Sequence, residues 1–391
     1  MSYSEYSTNK QFCPIPWTSV YIWPGGEVEN CCQSENKLGN IQNSTIDEIL
    51  NSPKVIKIKS DMLNGIAPAG CKKCYPSASS YDKEDFNYNI TARAHYLNDF
   101  QEFDKTLYVD PNNFEYRYAD LRFRNTCNFA CVYCGPQCSS SWSSELNLVH
   151  KISDEKINHT YDYFLKNIHN LKIVYLAGGE PLLIKENLAL LEELYKVNPD
   201  CSIRVNTNLS MIENNQIFNQ LIKFKNCSWR ISAEDTHEKF EYIRYGGNWD
   251  TFYKNVVFLK SITDHISFTG VYTALNAKSM FNFVRVLEDI GFRKDQFDAY
   301  FVNGGHYLDN GMSVDPRLLP DEYLKDVINT IESELSGIER YDNNLQFILK
   351  CLKNNIPNKD SKKLFSFIET LDQRRNLDSR KVFSDIYEYC N

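Results

Sequence analysis

Through the middle of the chain, short apolar runs take turns with longer stretches in which apolar residues recur every three to four positions. The short runs lie at 116–123, 172–177, 202–207, 228–233, 266–273 and 297–302, and their length and alternation predict strands. Between them Leu188, Leu191, Leu194 and Tyr195 form one helical stripe, ended by Pro199. Phe283, Val284, Leu287 and Ile290 form another, stopped by Gly291. Strands that alternate with helices predict a parallel sheet. Six such units are too few to close an eight-stranded barrel. The expected fold class is therefore α/β, an open, partial (β/α)6 TIM-like barrel, with ligands gathered at the C-terminal ends of its strands.

The flanks carry different patterns. Trp17–Trp23 and Glu27–Cys32 read as two strands joined at Gly25-Gly26, a hairpin signal. A short helix capped near Thr45 is expected to run through Leu50. Residues 83–115 are polar and aromatic, contain the turn Asp110-Pro111-Asn112-Asn113, and read as a connection. Beyond about residue 310 the strand signals stop. Pro320 opens a helix with the stripe Tyr323, Leu324, Val327, Ile328 and Ile331. Two more stripes, Leu345–Ile348–Leu349–Leu352 and Leu364–Phe365–Ile368–Leu371, complete a helical C-terminal extension expected to pack on the open side of the barrel. The resulting division is a small cysteine-rich domain at 1–85, a linker at 86–115, the barrel at 116–310 and the extension at 311–391.

Composition narrows the class. The 391 residues are 42% hydrophobic, enough for a large core. The 13 cysteines are odd in number and unevenly grouped, which favours metal binding over a disulfide framework. Met1–Lys10 is polar and shows no signal-peptide pattern. No apolar run approaches the ~18 residues of a membrane span, so a cytoplasmic protein without a membrane partner is expected. The formal net charge of -8 disfavours a nucleic-acid partner, because phosphate contacts need a basic face.

The chemistry is concentrated in two motifs. Cys127, Cys131 and Cys134 stand in a C-x3-C-x2-C spacing just after the first barrel strand. A cubane iron–sulfur cluster normally takes one thiolate per iron, so three thiolates leave one iron open to a ligand. A zinc knuckle is the alternative, although zinc ribbons more often use paired C-x2-C units. One βα unit later, the apolar run Ile173–Ala177 enters Gly178-Gly179-Glu180-Pro181. Glycines let a ligand approach the backbone closely, and a carboxylate at a strand end can bind an ammonium group.

Together these motifs resemble the radical SAM superfamily, over roughly residues 115–305. The resemblance implies a [4Fe-4S] cluster on Cys127, Cys131 and Cys134 whose open iron is chelated by S-adenosyl-L-methionine. It implies reductive cleavage to a 5′-deoxyadenosyl radical, which abstracts hydrogen from a substrate, and an electron donor such as flavodoxin or ferredoxin. Gly178, Gly179 and Glu180 would hold the methionine ammonium, and Tyr133 would lie near the adenine. Arg244 is similar to an arginine that reaches the methionine carboxylate in related enzymes, a task suited to guanidinium. Asn206 and Ser232, at the ends of the third and fourth strands, are candidates for ribose or carboxylate contacts, or else cap their loops. Tyr272 is expected to be a core aromatic. The sequence names no catalytic acid or hydrogen donor.

A second constellation lies at the amino terminus: Cys13, the pair Cys31-Cys32, and Cys71-Lys72-Lys73-Cys74. It resembles the start of the SPASM and twitch auxiliary-cluster domains of radical SAM enzymes. Cys13, Cys31, Cys71 and Cys74 would ligate a second, auxiliary [4Fe-4S] cluster, with Cys32 an alternative to Cys31. Four thiolates also suit zinc. The module precedes the barrel, whereas it follows it in better-known relatives. The full seven-cysteine set is missing, which makes twitch the closer name and one auxiliary cluster the expectation. Cys138, Cys201, Cys227, Cys351 and Cys390 are expected to be buried or incidental thiols. Arg374, Arg375, Arg380 and Lys381 read as a solvated basic face. The expected activity is that of a radical SAM enzyme acting on a peptide by crosslinking, oxidation or epimerisation. A small metabolite, such as a sugar or amino acid, is the other substrate class. A non-catalytic iron–sulfur or zinc-binding protein is the other kind of function.

Overall fold

The computed structural model describes residues 9, 11–71, 73–75, 92–100, 105–148, 153–302, 314–335, 342–354 and 359–389. Residues 76–91, where the cysteine-rich domain is expected to pass into the linker, lie outside the described residues, as do residues 303–313 and Cys390. The chain divides into two compact units, one from residues 1–124, 151–204 and 216–227, the other from residues 125–150, 205–215 and 228–391.

In the first unit β1 (Ser19–Ile22) pairs antiparallel with β2 (Glu27–Glu29), and β2 with β3 (Gly39–Asn40). On its other side β1 lies parallel to β4 (Tyr118–Leu121), which lies parallel to β5 (Ile173–Leu176). The amino-terminal hairpin therefore continues the sheet of the first two barrel strands. Next in sequence is β6 (Ser202–Thr207), where the Ser202 N–H donates to the Lys172 carbonyl at 3.0 Å.

Both strands of the expected hairpin are shorter than their patterns suggested. Trp17 belongs to a helical turn, Ile15–Thr18, preceded by Pro14 and containing Pro16. Proline lacks an N–H and suits the first turn of a helix better than a central strand. The second strand ends at Glu29, because the backbone turns back with the Ser34 N–H on the Cys31 carbonyl at 3.0 Å. Thr45 caps the helix Ile46–Leu50 as expected, with Glu48 completing a capping box.

An aromatic core fills this unit. Phe12, Cys13, Trp17, Met62, Tyr96 and Tyr108 share it with Tyr118 of β4 and Ile173 of β5, and Cys31 and Cys71 pack against it. The expected linker contributes to the same core, since Tyr96 sits in the helix Ala92–Asp99. Hairpin, connection and early barrel strands thus bury one common apolar surface.

In the second unit β7 (Cys227–Ser232), β8 (Ile266–Tyr272) and β9 (Phe297–Phe301) run parallel. Strands β4 to β9 supply the six expected βα units, and the class is α/β. Gly291 closes the helix Met280–Ile290 in the left-handed conformation. Tyr272 is buried as expected, its hydroxyl donating to the Ala277 carbonyl at 2.7 Å.

The C-terminal extension contains the helices Asp321–Leu335, Asp342–Lys353 and Lys362–Arg375, the second of which packs on β9. Arg375 departs from the expected solvated face. Its side chain is 1% exposed, its guanidinium stacks on Trp142 and Tyr245 at 4.4 and 4.5 Å, and it pairs with Glu145 at 3.1 Å. The reason is periodicity: Leu364, Ile368, Leu371 and Arg375 form one buried helical stripe.

Candidate active site

The three clustered cysteines occupy the loop between β4 and the helix Ser140–Glu145. Two strand-like hydrogen bonds hold the loop, from Ala130 N–H to the Tyr245 carbonyl and from Val132 N–H to the Ile243 carbonyl, each at 2.8 Å. The run Ser139–Trp142 ties down the rest. Ser139 Oγ donates to the Phe129 carbonyl at 2.6 Å, Ser141 Oγ to the Cys127 carbonyl at 2.9 Å, and Trp142 Nε1 to the Cys131 carbonyl at 2.8 Å. Ser140 Oγ accepts from the Cys127 N–H at 3.1 Å and donates to its carbonyl at 3.0 Å. The sequence reading passed over these residues. A run of three serines before a tryptophan, directly after a metal-ligand motif, was the available signal.

Gly246 lies against this loop at φ +99°, and a Cβ there would sit 2.7 Å from the Asn128 carbonyl oxygen. Burial raises the Cys131 thiol above its ordinary range. Burial does the same to Cys134, helped by the neighbouring thiols Cys138, Cys131 and Cys127.

Tyr133 and Arg244 meet on a residue that the sequence reading did not select. Arg244 Nη2 donates to Glu234 Oε2 at 2.6 Å, and the Tyr133 hydroxyl lies 3.1 and 3.2 Å from the two Glu234 oxygens. Both charged groups are buried, and the Arg244 guanidinium faces the Tyr133 ring at 5.7 Å. Burial raises Glu234, while Arg244 opposes that shift. Arg244 Nε is buried without a hydrogen bond. Glu234 was legible only as part of a polar strand end. Ser232 Oγ lies 3.4 Å from Asn206 Oδ1, so those two candidates are brought together.

The Gly178-Gly179-Glu180 turn belongs to the first unit. Gly178 has φ +116°, and a Cβ there would lie 3.3 Å from Arg122 Cβ. Glu180 is 1% exposed and accepts from the Leu182 N–H at 3.2 Å, which caps the turn Pro181–Leu183. A backbone without a Cβ beside a buried carboxylate is a surface that a small zwitterion can approach.

The amino-terminal thiols form their own group. Burial, then the neighbouring Cys74 and Cys71, raises Cys13; burial followed by Cys32, Cys13, Cys74 and Cys71 raises Cys31. Cys71 is pushed up to about 12, by burial first and Cys74 second. Each of three thiols also meets donors. Cys13 faces the Ile15 N–H, Cys74 faces those of Arg93 and Ala92, and Asn36 Nδ2 donates to Cys71 Sγ at 3.5 Å. Donors of this kind stabilise thiolate sulfur, while buried and mutually repelling thiolates need a cationic partner. Among the described residues, no group of three or more His, Cys, Asp and Glu side chains converges tightly enough to hold one metal ion. Four thiolates among such donors fit a cubane, which takes one thiolate on each of its four irons. Cys32 neighbours both groups: it is the largest influence on Cys31 after burial, and its own largest influences after burial are Asp120 and Arg122.

The radical SAM superfamily model matches residues 121–290, and the SPASM iron–sulfur cluster-binding domain matches residues 13–75. GTP 3′,8-cyclase of Haemophilus influenzae (strain PittGG) is 29% identical over 100 residues, which are 26% of this chain and 28% of that protein. The corresponding enzyme of Campylobacter lari is 26% identical over 96 residues, 25% of this chain and 28% of that protein. The chain thus matches little more than a quarter of the length of these curated relatives. Among solved structures, anSMEcpe with bound AdoMet and Cp18Cys peptide covers 56% of this chain and 61% of its own, at 17% identity and a TM-score of 0.39. Streptococcus suis SuiB bound to precursor peptide SuiA covers 72% of this chain and 59% of its own, at 14% identity and a TM-score of 0.41. With a C-x3-C-x2-C loop after the first barrel strand, a Gly-Gly-Glu turn after the second and a cysteine-rich module ahead of both, the chain belongs to the radical SAM superfamily and carries an amino-terminal SPASM iron–sulfur domain.

Proposed function

We propose that the protein modifies a peptide, by a net oxidation such as a crosslink or dehydrogenation, or by epimerisation. A [4Fe-4S] cluster with S-adenosyl-L-methionine supplies a carbon-centred oxidant for hydrogen abstraction. Cys127, Cys131 and Cys134 would hold that cluster, and Gly178, Gly179 and Glu180 the methionine ammonium. The Glu234–Arg244 pair with Tyr133, and Asn206 with Ser232, would line the rest of the cofactor site. Cys13, Cys31, Cys71 and Cys74 would hold the auxiliary cluster.

One observation carries the reading: three of the four amino-terminal thiols, Cys13, Cys31 and Cys71, share a unit and an aromatic core with strands β4 and β5. A second redox centre in that place offers an exit for the electron left on an oxidised substrate, or a route for electrons entering from a flavodoxin or ferredoxin donor. The peptide assignment rests on the SPASM resemblance, which is analogy.

A small-metabolite substrate is the second reading. It draws on the partial match to cyclases named for GTP. The test is anaerobic reconstitution with dithionite and S-adenosyl-L-methionine. Release of 5′-deoxyadenosine supports the enzyme, and its absence from fully iron-loaded protein favours a binding protein. Incubation with candidate peptides then separates outcomes by mass: loss of two hydrogens for oxidation, or one solvent deuteron gained for epimerisation. Turnover of a nucleotide, sugar or amino acid with no peptide product would replace the peptide reading.

A further inference from the structure

Beside the auxiliary cysteines lies a buried ion pair that the proposed chemistry does not use. Asp120 is on β4, where its cross-strand neighbours are Tyr21 of β1 and Tyr175 of β5. Tyr21 in turn pairs with Glu29 of β2, so Glu29, Tyr21, Asp120 and Tyr175 form one row across four strands. Arg122 follows two residues along the same face. Its Nε donates to Asp120 Oδ1 at 2.9 Å, and its guanidinium faces the Tyr21 ring at 4.8 Å and the Tyr175 ring at 5.9 Å. A planar cation gripped by a carboxylate and two rings is fixed in position.

This pair lies close to the cysteine hairpin. Tyr118, two residues before Asp120 on the same face of β4, belongs to the same aromatic core as Cys13. Tyr175, whose ring Arg122 faces at 5.9 Å, packs against that core, as do Cys31 and Cys71. After burial, Cys31 is influenced by Cys32 and then by Cys13, Cys74 and Cys71, and Cys32 in turn by Asp120 and Arg122. Cys32 thus stands between Cys31, with the three other ligand candidates beyond it, and the charge pair. Arg122 also backs the Gly178 turn.

We propose that Asp120 and Arg122 are positioning residues that set the reduction potential of the auxiliary cluster. The inference rests on the reading that Cys13, Cys31, Cys71 and Cys74 hold such a cluster. A cluster gains one negative charge when it is reduced. A fixed cation nearby favours the reduced form and raises the potential, and a fixed anion lowers it. Burial keeps water from screening either charge. The pair therefore supplies two opposed contributions, which neutral substitutions remove one at a time.

The test is an anaerobic dithionite titration of the full-length, reconstituted protein, followed by electron paramagnetic resonance. The auxiliary signal is the one that added S-adenosyl-L-methionine leaves unmoved. Arg122→Gln should lower its midpoint potential, Asp120→Asn should raise it, and the double variant should return toward the parent. Shifts of the same sign, or none, with iron held near eight per chain, would overturn the proposal. Structural disturbance alone has no reason to produce opposite signs. Should Asp120→Asn fail to load iron, Arg122→Lys and Arg122→Gln decide the matter. The lysine keeps the charge and should keep the midpoint; an equal drop in both variants would overturn the proposal. A parent preparation with about four irons and no second signal would remove the auxiliary cluster itself, and the earlier reading with it.

Discussion

At the residue scale, Gly246 shows how tightly the cysteine loop is held. Its left-handed backbone and the nearby Asn128 carbonyl oxygen leave no room for a side chain. Gly246→Ala should therefore push the loop between Cys127 and Cys131 out of place. Iron at the S-adenosylmethionine cluster should fall while the auxiliary cluster stays, as iron counting and spectroscopy will show. Glu234 is a different case, because it neutralises a buried guanidinium. Removing one partner of such a pair costs about 3–5 kcal/mol, so Glu234→Ala should lose that much in a denaturant titration. Tyr133→Phe removes one hydrogen bond and should cost about 1 kcal/mol. The cysteine pair at 31 and 32 divides in the same way. Cys31→Ala should lose the auxiliary cluster, and Cys32→Ala should keep it.

At the element scale, the strands of the barrel were the most legible part of the chain. All six fall within a few residues of their runs, because a strand buries every second side chain more deeply, as in β6, β7 and β8, and that alternation shows in the sequence. The hairpin was less legible, since alternation alone does not reveal that Pro14 and Pro16 turn the chain around Trp17 into a helix. Glu234 and Arg375 were missed for a related reason. A charged residue on a buried stripe looks solvated until its partner, distant in sequence, is known.

Lys59 is another such residue, on the buried face of the helix Pro53–Leu63. Its Nζ donates to the Asn113 carbonyl at 2.8 Å and lies over the Trp17 and Phe114 rings. Burial lowers its pKa to about 8. Between that value and the ordinary lysine range the unfolded chain binds the extra proton, so folding stability rises with pH there. Lys59→Met should flatten this dependence. The variant should gain most over the parent near pH 7, by up to about 3 kcal/mol, and the gap should close by about pH 10.5.

At the scale of the whole molecule, two sets of thiols are embedded in different ways, and their removal should have different consequences. Cys127, Cys131 and Cys134 lie in a loop whose shape is fixed mainly by backbone and serine hydrogen bonds, to which the thiols add only long ones, Phe129 N–H to Cys127 Sγ at 3.5 Å and Cys134 Sγ to the Gly135 carbonyl at 3.8 Å. Replacing all three by alanine should leave the fold standing, with about four irons and unchanged denaturant stability, while 5′-deoxyadenosine formation stops. Cys13, Cys31 and Cys71 instead belong to the aromatic core that joins the hairpin to β4 and β5. Without metal, these thiols stay protonated, and the segments holding them are joined by packing and a few hydrogen bonds, such as the Glu35 N–H to the Gly70 carbonyl at 2.8 Å and the Tyr75 hydroxyl to the Gln11 carbonyl at 2.9 Å. Replacing Cys13, Cys31, Cys71 and Cys74 by alanine should thus remove the auxiliary iron and also lower the melting temperature of the first unit. Hydrogen exchange should register that loss at β1 and β4 before β8 and β9, since these two pairs lie in different units. Equal exchange in all four strands would mean that the auxiliary centre does not hold the hairpin to the barrel strands.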